Sequence, residues 1–113
     1  MSMSVEEVLQ MVRDLAERID PQLLFLALRK KGFRHLKKRT IEVLRYCIAL
    51  DRLGLPINPF IMSALTNRSV QPLRIQLHTL GDKNLLVLCR KKGLQQWVLS
   101  KIFREVIEEW NLV

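Results

Sequence analysis

The sequence has few of the residues that mark disordered or membrane-spanning chains. Of its 113 residues only four are proline and four are glycine, fewer than low-complexity segments contain. No apolar run approaches the ~18–20 residues that a membrane span needs. Glu6 and Glu7 stand where a secretory signal would carry basic residues. We therefore expect a globular, soluble, cytoplasmic protein that does not enter a membrane.

The sequence also has little that suggests catalysis. It has no glycine-rich phosphate loop and no paired cysteines at metal-binding spacing, and His35 and His78 are isolated. Cys47 and Cys89 lie far apart in apolar surroundings, which favours two buried free thiols. We expect no catalytic residue, no cofactor and no metal, and hence no enzyme.

Acidic residues are scarce in the middle of the chain. The net charge is +8, but residues 1–20 carry −3, residues 21–92 carry +12 and residues 93–113 carry −1. A basic middle between weakly acidic ends indicates a localised surface for a polyanion.

Seven of these basic residues fall between positions 29 and 39, with no acid among them. Such a cluster would neutralise several phosphates, and Lys37, Lys38 and Arg39 are its predicted DNA contacts. A solvated linker, or a surface that contacts RNA or protein, is the alternative. The sequence leaves open whether the cluster shares a face with the elements described next.

The first third of the chain predicts helices. Residues 4–19 carry apolar side chains at heptad spacing, from Val5 to Ile19. Asp20 and Pro21 are typical of the start of a second helix, which Gly32 would end. We treat residues 1–35 as an N-terminal helical extension. Its first helix either forms a homodimer or packs within its own chain.

The remaining residues, 36–113, predict a second unit. A third helix covers 36–53, or begins at Thr40 after a linker over 33–39. Asn58 and Pro59 begin a short helix, and Ser69 caps the next one, over 69–80, whose apolar side chains are spaced for one buried stripe. Two strands, Leu85–Cys89 and Leu94–Leu99, then form a hairpin, and Ser100 caps a last helix.

The segment SVQPLRIQLHTLGDKNLLVLCRKKGLQQWVLS, residues 69–100, resembles the winged helix-turn-helix superfamily, as does the order of elements over residues 40–100. The resemblance implies a mainly α fold with a small β-hairpin, with extra N-terminal helices here. It also implies a DNA-reading helix at 69–80 and a basic wing at 85–99. The resembled proteins bind double-stranded DNA, often as transcriptional regulators.

The residues of the reading helix can be sorted by their direction. When Leu73, Leu77 and Leu80 face the core, the rotation of 100° between successive residues places other side chains of this helix on its outward face or at the edge of that face. Polar side chains in that set could pair with base edges, and an apolar one could touch a thymine methyl group. The predicted DNA-contacting residues on the helix are Gln71, Arg74, Ile75 and His78.

The flanking contacts complete the predicted site. Asn67, Arg68 and Ser69 precede the reading helix, where a helix N-terminus can meet a phosphate, and Arg90, Lys91 and Lys92 form the wing tip. A protein-interaction module, serving as an accessory subunit of a replication, repair or transcription complex, remains the alternative function. The target sequence, any effector and the direction of regulation stay open.

Overall fold

The computed structural model describes residues 2–91 and 93–113. That part of the chain contains six α-helices and one antiparallel hairpin, and the two strands of the hairpin lie between the fifth and the sixth helix. The mainly α class with a small β-hairpin is therefore confirmed. The elements are α1 (Val5–Glu17), α2 (Pro21–Lys31), α3 (Lys38–Arg52), α4 (Pro59–Thr66), α5 (Val70–Asp82), β1 (Leu86–Lys91), β2 (Leu94–Leu99) and α6 (Lys101–Glu109).

The helix boundaries follow the capping residues that the sequence shows. The Asp20 carboxylate accepts from the backbone N–H groups of Gln22 and Leu23, and Gly32 ends α2 in the left-handed conformation at φ 106°. Ser100 Oγ accepts from Phe103 N at 3.1 Å, which caps α6. These side chains replace the hydrogen-bond partners that a helix end lacks.

The start of α3 lies between the two predicted alternatives. The helix begins at Lys38, and Lys37 precedes it without a side-chain cap. Leu36 packs partly buried against the core. The sequence did not resolve this boundary because none of the three consecutive basic residues at 37–39 is a capping residue.

One hydrophobic core joins all six helices and the hairpin. Helix α1 packs on α3 and α4 of its own chain, with Leu9, Val12 and Ala16 buried. Val5, which the heptad pattern placed in the apolar stripe, is 75% exposed, because the buried face follows Leu9 instead. The division into residues 1–35 and 36–113 stays a prediction, and both parts contribute to this core.

The hairpin packs beside α5 and is joined to the loop before α4. Its register pairs Leu86 with Leu99 and Leu88 with Trp97. Trp97 N also donates to the carbonyl oxygen of Ile57 at 2.8 Å, so Ile57 makes an isolated antiparallel bridge on the other side of β2. This bridge fixes the hairpin against the segment that leads into α4.

A close contact between α5 and β2 depends on Gly81. A Cβ atom at this position would lie 2.7 Å from Trp97 Cζ3 and 3.0 Å from its Cη2. Trp97 is only 6% exposed, so its ring has little room to move. The absence of a side chain at Gly81 lets the hairpin approach the helix.

We expect Gly81→Ala to destabilise the fold by about 1 kcal/mol. Alanine would gain about 1 kcal/mol from helix propensity, but overpacking against Trp97 costs roughly 1–3 kcal/mol. Urea unfolding of the single and double variants measures the balance. In a Trp97→Phe background, which lacks the outer ring atoms, the alanine should become neutral or stabilising. An equal cost in both backgrounds would contradict the role of this contact.

No helix in the described residues is both long enough and apolar enough to cross a membrane.

Candidate nucleic-acid interface

The outward face of α5 is exposed as its sequence predicts. Leu73, Leu77 and Leu80 are buried at 0–1% exposure, and the opposite side of the helix is open to solvent. The exposed residues there are Gln71, Arg74, Ile75, His78 and Thr79. A helix with one face held in the core can present the other to a groove.

Two large apolar side chains lie on this surface. Ile75 is 60% exposed and Phe60, in the first turn of α4, is 65% exposed. The guanidinium carbon of Arg74 lies 6.0 Å from the centre of the Phe60 ring, within the range of a cation–π contact. Phe60 was not among the predicted site residues. Its contact with Arg74 spans the turn and could not be derived from sequence spacing.

His78 links α5 to the hairpin. Its ring packs edge-on against Trp97, with the ring centres 5.0 Å apart and the planes at 86°. A shallow groove of about 350 Å³ lies beside this contact, between the C-terminal half of α5 and β1. The histidine is therefore positioned by packing and has one side toward solvent.

The turn between α4 and α5 is held by specific contacts. Asn67 adopts the left-handed conformation at φ 58° and ends α4. The Arg68 guanidinium donates to the Glu42 carboxylate at 2.9 Å, so part of its charge is already paired. Ser69 is the N-cap residue of α5, but it makes no side-chain cap hydrogen bond, so the predicted cap is wrong in this respect. The backbone N–H groups of Val70 and Gln71 are therefore left for an incoming acceptor, while Pro72 has none.

The basic cluster of residues 29–39 divides into two parts. Lys83 Nζ, at the C-terminal end of α5, donates to the Arg34 carbonyl oxygen at 3.2 Å. At the other end of α5, Arg68 contacts Glu42 in the second turn of α3. The segment 34–42 therefore contacts the two residues that flank α5, Arg68 before it and Lys83 after it. Lys37, Lys38 and Arg39 are all exposed.

Two lysines of the cluster lie beside a different element, α6. Lys30 and Lys31 line a cleft with Glu109 and Trp110 at the end of α6. Arg29 lies over the Phe25 ring of its own helix, at 5.8 Å from the ring centre. These three basic residues thus provide an internal comparison for the three at 37–39.

The hairpin tip is described only in part. Arg90 is exposed, but β1 runs from Leu86 to Lys91 and pairs Arg90 with Gln95, so its predicted place in the tip is wrong. Lys91 is the last residue of β1, while its side chain and the whole of Lys92 lie outside the described residues. The prediction that these lysines contact DNA therefore stays a prediction.

The two cysteines differ in environment. Both are free, Cys47 is buried and Cys89 is half-buried, so the expectation of two buried thiols is wrong for Cys89. Cys89 lies on the same side of β1 as Val87, which is 47% exposed, because side chains two residues apart in a strand share a face. Burial raises the pKa of the Cys47 thiol from 9.0 to about 12.

We expect only Cys89 to react with a thiol reagent at about pH 8, since the thiolate is the reactive form. Denaturant should expose the second thiol, and mass spectrometry can count both.

Between pH 9 and about 12 the unfolded Cys47 thiol loses its proton while the folded one keeps it. Stability should therefore fall as pH rises through that window. A Cys47→Ala variant should lose this part of the pH dependence.

Among the described residues, no group of three or more His, Cys, Asp or Glu side chains could hold a metal ion. Comparison with protein-family models, with curated proteins and with solved structures finds no match to this chain.

Proposed function

We propose that this protein is a winged helix-turn-helix protein that binds double-stranded DNA, with α5 as the reading helix and the hairpin as the wing. The observation that carries the proposal is the exposed face of α5 beside a hairpin that follows it directly. The bridge between Ile57 and Trp97 of β2 adds support, because it fixes the hairpin to the segment that leads into α4 and so holds the hairpin beside α4 and α5. Regulation of transcription is the role we propose for such binding.

The charge distribution favours a nucleic acid over a neutral partner. Residues 21–92 carry a net charge of +12. The cations at 37–39 lie on the segment that contacts the residues flanking α5, Arg68 and Lys83. A side chain on α5 would read base edges in the major groove, and the flanking cations would hold the phosphates. A-form RNA offers no major groove of sufficient width, so we favour duplex DNA.

Fluorescence anisotropy with a labelled random-sequence DNA duplex tests the proposal. We expect binding at about 50 mM salt that weakens steeply as salt is raised to about 200 mM. A double-stranded RNA competitor should displace the DNA only weakly. The absence of binding at low salt would refute the proposal. Selection of bound sequences from the same pool would then show whether a half-site symmetry points to a homodimer.

Arg74→Ala and Gln71→Ala should each relax sequence preference by about 1–3 kcal/mol if these residues read bases. Affinities for a selected duplex and for a random one give this difference directly. Arg52→Ala is the matched control, because Arg52 is exposed but lines a cleft with α6 residues. Equal losses on both duplexes would assign Arg74 and Gln71 to phosphate contact instead.

A protein-interaction module is the second candidate, and the exposed pair Phe60 and Ile75 favours it. Aromatic side chains such as Phe60, and arginine, are enriched at interfaces between proteins. Two results together would establish this alternative. The chain would not bind duplex DNA at low salt, and it would form a stoichiometric complex with a replication, repair or transcription subunit that Phe60→Ala abolishes.

A further inference from the structure

A groove of about 720 Å³ lies between α2 and the beginning of α3, and none of the residues that line it belongs to α5. Its walls are mainly apolar, and Phe25, Leu26, Leu36 and Ile41 contribute to them. Leu26 is 56% exposed, although it is a large aliphatic residue in the middle of a helix. Concave apolar sites of roughly 300–1,000 Å³ are the usual binding places of small molecules.

Three charged side chains stand at the wall of this groove, and their balance is positive. They are Lys38, Glu42 and Arg45. The Glu42 carboxylate is already paired with Arg68 at 2.9 Å, whereas neither ion pair found among residues 2–91 and 93–113 includes Lys38 or Arg45. Arg45 Nε donates to the Ala16 carbonyl oxygen at 3.1 Å, which holds the guanidinium in position.

We propose that this groove binds a small apolar molecule ending in a carboxylate, such as a medium-chain fatty acid. The hydrocarbon part would cover the apolar wall, and the carboxylate would lie near Lys38 and Arg45. Charge complementarity selects this class, because a neutral ligand leaves the two cations unmatched and a cationic one is repelled. The inference goes beyond the proposed function, since the groove is formed by α2 and α3 and its ligand needs no DNA, although Lys38 is also a predicted DNA contact.

Octanoate is the probe, added to the full chain without DNA and followed through the backbone amide signals in NMR spectra. We expect saturable shifts at the amides around Leu26, Leu36 and Ile41, and little change on α5. Octanol, which has the same chain length and no charge, should bind at least about tenfold more weakly. Octanoate shifts that do not saturate, or octanol that binds equally well, would overturn the proposal.

Two variants localise the carboxylate. Lys38→Ala should weaken octanoate binding by about two- to fivefold, because Lys38 is exposed and an exposed ion pair contributes modestly. Lys37→Ala is its matched control, because Lys37 does not line the groove. Leu26→Glu should abolish binding by placing an anion on the apolar wall, and it should fold because Leu26 is exposed. Equal effects of the two lysine variants, or unchanged binding to Leu26→Glu, would overturn the assignment whatever the DNA experiments show.

Discussion

Replacing Lys37, Lys38 and Arg39 together with alanine is expected to weaken binding to any duplex DNA by about 10³-fold at about 50 mM salt. Each cation that neutralises a phosphate releases a counterion, which at this salt concentration favours binding by roughly tenfold. The slope of log K against log salt should become shallower by about 3 for the same reason. Anisotropy titrations at several salt concentrations measure both quantities.

The matched control for this prediction is the triple alanine variant of Arg29, Lys30 and Lys31. It removes the same charge from the same cluster, but its lysines lie beside the end of α6. We expect it to change DNA affinity much less, through the long-range field alone. Equal losses in the two variants would mean that only the net charge matters, and that residues 37–39 do not contact DNA.

Leu77→Ala is expected to have the largest effect on stability. Leu77 lies at the centre of the buried face of α5 and is fully buried, and truncating such a leucine costs about 2–5 kcal/mol. Since small domains are stable by only about 5–15 kcal/mol, the midpoint of thermal unfolding should fall by roughly 10 °C or more. Calorimetry or circular dichroism measures this shift.

Ile75→Ala separates stability from binding on the same helix. Ile75 is 60% exposed, so its truncation should change the free energy of unfolding by less than about 0.5 kcal/mol. Its effect should appear instead in the affinity for duplexes with thymine in the major groove. A large loss of stability in Ile75→Ala would show that this face of α5 is covered, which would contradict the proposed interface.

Periodicity and capping residues predicted most of the local structure. The stripe at Leu73, Leu77 and Leu80 is buried as its spacing indicates. Asp20, Gly32 and Ser100 mark helix ends where they were expected. These features are local, because they depend on the residues within one or two turns of the helix.

Features that depend on contacts distant in sequence were not predicted. The bridge between Ile57 and Trp97 and the approach of Phe60 to Arg74 both join segments that the sequence does not relate. The Glu42 partner of Arg68 was missed for the same reason. Burial of Leu9 in place of Val5 shows that a heptad pattern alone does not fix which stripe the core covers.

The most direct test of the proposed interface is to map a DNA duplex onto the chain through the shifts of its backbone amide signals. We predict that the shifts concentrate on residues 69–79, on residues 37–39 and around Arg90, and that α1 and the end of α6 stay unchanged. Shifts confined to residues 29–31 and α6, with the exposed face of α5 unaffected, would contradict the assignment of α5 as the reading helix.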